Sequence, residues 1–415
     1  MSLRPKSAWR SAAVLGAAAA LTLGACSSSS EQEPKDETFQ GQLKIGTILP
    51  TTGNLAFLGP PEFAGVDLAI KEINEAGGVW GNDVVVSHKD SGDTTTDIAS
   101  QSAEALIQEG VHAVIGAASS GVSFTFIDRL YEAQVIQVSP ANTSPDFTTY
   151  PNNDFYFRTA PSDVLQGRVL GDLILSEGHE NVAIMALSDS YGTGLLKYTK
   201  EAIEDGGGTV VAEIVYDAAA SEFSSEVAQV AAANPDAIVL ITFNEIVQLA
   251  PALINANLGP QVKPWYFVDG NLSNYGDQFP AGTLLGTKGT LPGAEITQEF
   301  QQRLLEVDPD LNDFSYAPES YDATILVALA AIAANTDDTV AIRDKMVEVS
   351  RGGEKCTTFA QCKALLEEGK DIDYDGVSGP VEWSPEGDPT AATIGIYEYG
   401  EDNTYTNVAY RFGEI

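Results

Sequence analysis

Two short stretches end apolar runs in small hydroxylated residues: Val114-Ile-Gly-Ala-Ala-Ser-Ser-Gly121 and Val138-Ser-Pro-Ala-Asn-Thr-Ser-Pro145. Clustered Ser and Thr hydroxyls, beside the free backbone N–H groups of a turn or helix start, suit a carboxylate or another small anion. Each stretch reads as a strand running into a loop, and one helix, 123–133, fits between them. A strand–helix–strand unit makes the two strands parallel neighbours. It also sets their loops side by side at the carboxyl ends, where open α/β sheets bind ligands. The same Ser and Thr side chains qualify as caps of the following helices, and the two roles can coexist.

Other chemistries fit the residues less well. Ala117-x-Ser119-x-Gly121, between a strand and a helix, imitates a nucleophile elbow. A serine hydrolase also needs a base, and the only later histidine, His179, sits in the polar turn Glu177-Gly-His-Glu180 without a triad signature. His88, His112 and His179 are scattered and lack metal-ligand spacing. Gly192-x-Gly194 is too short for a dinucleotide fingerprint, and there is no phosphate-cradling G-x-x-x-x-G-K-[ST] motif. The expectation is a non-enzyme without cofactor or metal.

Composition narrows the partners. The 59 acidic residues against 22 Lys and Arg leave a net charge of −37, which argues against nucleic acid, because neutralising phosphates needs basic patches. The acidity reads as a solubilising surface and says little about a ligand. At the N-terminus, Arg4, Lys6 and Arg10 precede an apolar run over 12–23, the pattern of a secretory leader. The run ends in Leu23-Gly-Ala-Cys26, which resembles the bacterial lipobox and implies cleavage before Cys26 and lipidation of that cysteine; an ordinary leader with a chance cysteine is the alternative. Residues 1–25 are then the leader and 26–40, rich in Ser, Glu, Gln, Pro, Lys and Asp, a tether. A lipid-anchored protein on the outer face of the cell membrane follows. Cys356 and Cys362 remain, and in an exported chain two leftover cysteines form a disulfide more readily than a zinc site without nearby His.

From 43 onward, strands alternate with helices. Strands are expected at 43–49, 83–88 and 113–116, with helices at 62–75 and 96–109. After Phe155-Tyr-Phe-Arg-Thr-Ala160 the rhythm restarts: helix 163–176, strand 181–187, helix 191–205, then strands 209–216, 237–242 and 265–268 with helices 225–233 and 245–256 between them. Helices at 314–334 and 340–349 have no strand between them, so the chain returns to the first lobe. The tail, 381–383, 394–399 and 404–411, reads as short strands by the second. A length of 415 residues suits two α/β lobes, each a doubly wound parallel sheet, joined by a hinge of several crossings. The lobes are expected to comprise 41–160 with 291–378, and 161–290 with 379–415.

With these motifs in order, the body resembles the type I periplasmic binding proteins of the Leu/Ile/Val-binding class, receptors of ABC importers. The resemblance runs from about 43 to 410. It rests on Lys44-Ile-Gly46, Pro50-Thr-Thr-Gly53, Ala64-Gly-Val-Asp-Leu-Ala-Ile70, Ile73-Asn-Glu-Ala-Gly-Gly78, Ser139-Pro-Ala-Asn-Thr143, Phe157-Arg-Thr159, Tyr191-Gly192 and Gly379-Pro380. It implies that Ser120, the backbone of Ala141, and Thr143 hold a ligand's α-carboxylate, with Ser119 beside them. It implies that Asp269 takes the ammonium, where the family often has the longer Glu; a local turn with Gly270 and Asn271 is the other role open to it. Tyr191 matches a ligand-touching aromatic. Phe243 stands where the family often has a Tyr. Phe57 matches the side-chain pocket, or packs on its own lobe. The resemblance further implies an amino-acid ligand of branched-chain or similar apolar type, and permease and ATPase partners. An amide, urea or small aromatic acid, or a sensing role without transport, stay open.

Overall fold

The computed structural model describes residues 39–151, 154–217 and 219–415. The expected leader, the lipid-bearing Cys26 and the tether up to 38 lie outside the described residues.

The first sheet has five parallel strands: β1 (Lys44–Leu49), β2 (Val85–Asp90), β3 (Ala113–Gly116), β4 (Ile136–Ser139) and β5 (Tyr156–Arg158), in the order β2-β1-β3-β4-β5. Helices α1 (Gly59–Glu75), α2 (Ile98–Glu109), α3 (Ser120–Ser123) and α4 (Ile127–Glu132) connect them. The second half repeats the scheme. Helices α5 (Asp163–Ser176), α6 (Ser190–Asp205), α7 (Ser224–Ala233) and α8 (Ile246–Asn255) alternate with β6 (Asn181–Leu187), β7 (Thr209–Tyr216), β8 (Ala237–Ile241), β9 (Trp265–Phe267) and β10 (Lys288–Pro292). The parallel order β7-β6-β8-β9-β10 has the same topology as the first sheet, and right-handed crossovers make this winding repeatable. Both sheets therefore reverse winding direction next to their first strand, which opens a crevice at the carboxyl ends.

The chain then adds α9 (Gln298–Val307), α10 (Ala317–Ala334), α11 (Thr339–Val349), a strand pair β11 (Glu354–Cys356) and β12 (Ile372–Tyr374), and α12 (Phe359–Glu367). It finishes with antiparallel β13 (Ala391–Tyr399) and β14 (Tyr405–Glu414) on the edge of the second sheet. Three passages join the halves: from β5 to α5, from β10 to α9, and from β12 to β13. Cys356 and Cys362 are bonded, S–S 2.13 Å, pinning β11 to α12.

α10 packs on α1, α11 and α12. By length and composition it could cross a membrane, but 83% of its apolar window is buried inside the fold. Its polar residues have structural work: Asp322 accepts from Tyr374 Oη (2.7 Å), Val377 N (3.1 Å), Ser378 N (2.7 Å) and Ser378 Oγ (2.5 Å), fixing the start of the third passage.

Several expectations need correction. The helix expected over 123–133 is two short ones, broken at Phe124–Phe126. Thr125 Oγ1 donates back to Val122 O (2.7 Å), Ser123 Oγ is recruited by Ala117 N (3.1 Å), and Phe124 stacks on Phe147 at 4.1 Å; side-chain bonds of this kind compete with the helix ladder. Residues 381–383 are not a strand of the second half. Trp383 is buried in the first half's core, 5.0 Å from Phe157, and its Nε1 donates to Arg158 O at 2.6 Å. Strand β10 escapes pattern reading because Lys-Gly-Thr-Leu-Pro carries a Gly and a Pro, both poor strand formers. α1 begins at Gly59, three residues before the expected start, since Pro60 and Pro61 fit a first turn whose N–H groups are unpaired anyway.

Candidate functional site

Loops from both crevices face one another. From the first half come the loops after β1, β3 and β4; from the second, those after β6, β8 and β9. Leu55, Leu58, Ala118 and Ala141 share one buried cluster with Tyr191, Phe243 and Val268, so the halves meet across the cleft. Ser144 Oγ donates to Ser190 O across it at 3.0 Å.

On the first side, β3 ends at Gly116, whose φ of +125° and approach to β1 exclude a side chain: a Cβ there would lie 2.1 Å from Ile48 O. This close approach delivers the hydroxyl loop to the crevice. Ser119 caps α3, its Oγ accepting from Val122 N (3.3 Å). Ser120 is buried, and its Oγ accepts from Ser144 N (3.2 Å), tying the β3 loop to the β4 loop. Ala141 N donates to Ser139 Oγ (3.3 Å). Thr143 is fully buried, its carbonyl accepts from Asp163 N (2.8 Å), and its hydroxyl lies against the Asp163 carboxyl. Beneath the β4 loop, fully buried Arg158 donates to Asp388 Oδ1 (2.6 Å), Asn142 O (3.2 Å) and Ser144 O (2.8 Å), so the loop's shape depends on one guanidinium.

On the second side, Asp269 follows β9 and is buried. Its Oδ1 accepts from Tyr191 Oη (2.7 Å) and Gln166 Nε2 (2.9 Å), and its Oδ2 from Tyr316 Oη (2.8 Å). Three neutral donors hold the carboxylate, with no cation on it among the described residues. Tyr191 also stacks on Phe243, centroids 5.4 Å apart and planes 11° apart. Phe57 packs against the mixed cluster that Leu55 and Leu58 share with Tyr191 and Phe243. Phe243 and Ser119 share a small cavity of about 10 Å³ with Pro50, Asn54, Leu55 and Thr94. Ser119's hydroxyl is thus engaged in a helix cap, and His179 packs by Tyr266 at 6.1 Å.

Sequence reading missed Gln166, Tyr316, Asp163 and Asp189. Asp163 and Gln166 open α5 in Ser162-Asp-Val-Leu-Gln166, and Ser162, whose Oγ accepts from Val164 N, is the visible cap signal. Tyr316 caps α10 in a left-handed conformation (φ 60°), with no local signal. Asp163 is fully buried beside the Thr143 hydroxyl. Burial, then the Asp269 charge, push its carboxyl well above the usual range. Asp189 caps α6 through Gly192 N (2.7 Å), and burial raises its carboxyl to about 6. Burial raises Asp269 as well, against the pull of its donors. The second side thus carries acids in excess, and Arg158 is the one buried cation among the described residues.

A carboxyl that titrates higher in the folded than in the unfolded chain takes up protons on folding, so its stabilisation is present at low pH and lost as pH rises through the folded value. Asp189 (raised to about 6) and Glu319 (raised to about 8 by burial) together make stability fall between about pH 4 and 8. We expect the melting temperature of the unliganded protein to be higher at pH 6 than at pH 8, and Glu319→Gln to flatten that slope. A melting temperature that rises over this interval contradicts the assignment.

The family model described as "Periplasmic binding protein" matches residues 42–403. A Leu/Ile/Val-binding protein homologue of Brucella melitensis is 31% identical over 201 residues, 47% of this chain and about half (53%) of that protein's length. Among solved structures, the branched-chain amino acid transporter substrate-binding protein LivJ of Streptococcus pneumoniae, in complex with isoleucine, superposes with a TM-score of 0.73 at 21% identity, covering 90% of this chain and 100% of that one. A solute-binding protein of an R. palustris ABC transporter, in complex with 4-hydroxybenzoate, gives 0.74 at 16% identity, covering 90% and 97%. The chain belongs to the periplasmic binding proteins, type I, in the family of the Leu/Ile/Val-binding proteins.

Proposed function

We propose that this protein is the extracytoplasmic substrate-binding component of an ABC importer, anchored through a lipid on Cys26, and that it captures an α-amino acid of branched-chain or similar apolar type between its halves. One observation carries it: a buried carboxylate, Asp269, held by three neutral donors opposite a loop pair that carries the buried Ser120 and Thr143 hydroxyls. In this reading Ser120, Thr143 and the Ala141 backbone take the α-carboxylate, with Ser119 at their edge. Asp269 and Tyr191 take the ammonium, and Phe57 and Phe243 flank the side chain. Each half then binds one end of the zwitterion, so closure gains both together. Charge-assisted bonds of this kind are strengthened by the low dielectric of a closed cleft. The captured ligand passes to permease and ATPase subunits.

A second reading, a small aromatic acid, draws support from the R. palustris relative's ligand and from the Tyr191–Phe243 stack. It leaves Asp269 facing an anion, which costs free energy. A thermal-shift panel separates the two: a ligand at about a hundred times its Kd adds about 2.7 kcal/mol of stability. Leucine, isoleucine or valine should raise the melting temperature. If only 4-hydroxybenzoate or urea does so, the amino-acid reading is wrong.

A further inference from the structure

A second cleft, of about 350 Å³, opens beside the passage from β10 to α9, against the start of α10 and the β13–β14 edge. Its lining includes three acids, Glu295, Asp313 and Glu319, and no Lys, Arg or His. An acidic lining alone would mean little in so acidic a chain, but the aromatic content is specific. Four of the chain's 15 tyrosines, Tyr316, Tyr397, Tyr405 and Tyr410, line this one cleft. The rings of Tyr397 and Tyr405 stand at 86° with centroids 5.4 Å apart, forming a corner. Tyr405 Oη donates to Asp313 Oδ2 (2.9 Å), which holds the ring in place. Glu319 is 3% exposed, and its carboxyl meets its own backbone N–H and the field of nearby Asp322 and Glu62.

We propose that this cleft binds a small organic cation of the quaternary or protonated amine class. Ring faces and the Glu295 and Asp313 carboxylates both attract such an ion, and a weakly hydrated cation loses little on leaving water. A hard metal ion would instead need a shell of roughly six or more oxygens, and ring walls do not supply one. Tyr316 links the cleft to the first site: its ring lines the cleft while its hydroxyl donates to Asp269 Oδ2. Occupancy of the cleft therefore bears on the acid that we assign to the ligand ammonium, a coupling that rests on the proposed function above.

The test uses the whole folded protein and tetramethylammonium chloride against sodium chloride at equal ionic strength. Tetramethylammonium should raise the melting temperature saturably, beyond the salt control. Asp313→Asn and Tyr410→Ala, the latter on the half-exposed rim, should each weaken that response at least tenfold, whereas Asp269→Asn should keep it. The proposal is overturned if sodium chloride does the same, if both cleft variants respond like the wild type, or if Asp269→Asn abolishes the response, which would put the cation in the amino-acid site. Failure of every amino acid in the ligand panel would remove the coupling and leave the cleft's own result standing.

Discussion

Asp269→Asn lowers affinity for the amino acid about a hundredfold. The substitution keeps the shape of the side chain and removes its charge. A hydrogen bond to a charged group contributes up to about 3 kcal/mol, which corresponds to about a hundredfold in Kd. The loss has a second cause within the protein. Tyr191, Gln166 and Tyr316 all donate to Asp269, so an amide in its place can accept through one oxygen only and turns an N–H₂ toward at least one donor. Titration calorimetry on the folded variant measures the change. A tenfold loss or less would mean that Asp269 organises its loop and does not meet the ligand. The third donor predicts a milder partner effect, since Tyr316→Phe removes one bond and leaves the charge.

Asp388→Ala has the largest expected effect on stability, about 3–5 kcal/mol, because it leaves a buried guanidinium without its counter-charge. Arg158 is fully buried and Asp388 nearly so, and the Asp388 carboxylate also accepts from Thr148 Oγ1 at 2.6 Å. Equilibrium unfolding in urea reads the cost. The same variant should bind ligand more weakly, because Arg158 also holds the carbonyls of Asn142 and Ser144 on either side of Thr143. A loss below about 1 kcal/mol, in the range of an exposed pair, would show that solvent reaches the guanidinium.

The parts that were legible in the sequence share a property: their signals are local. Apolar runs and helical periodicities point to both sheets because the central parallel strands are buried on both faces and each crossover helix carries its own stripe. The loops at 119–121 and 139–145 were readable since hydroxyls at strand ends have few structural reasons to cluster. The other features depend on partners far away in the chain. Tyr316 reaches Asp269 from 47 residues on, and Gln166 from 103 residues before it. Trp383 is buried by Phe157 and Arg158, and nothing near it in sequence shows that. The break at Phe124–Phe126 comes from side-chain bonds and ring stacking with the β4 loop region, which outweigh a helical pattern that looks continuous. The acids of the second side, Asp163 and Asp189, look in sequence like ordinary helix-start residues, and only their burial gives them electrostatic weight.

The central claim is that each half of the molecule reads one charged end of an α-amino acid. It is tested most directly by calorimetric titration of three ligands: isoleucine, its carboxamide, and the same carbon skeleton without the amino group. Isoleucine should bind, and both truncated ligands should bind about a hundredfold more weakly or worse, since each leaves one half of the site unpaired. If the acid lacking the amino group binds as tightly as isoleucine, Asp269 does not hold an ammonium and the two-ended clamp is contradicted.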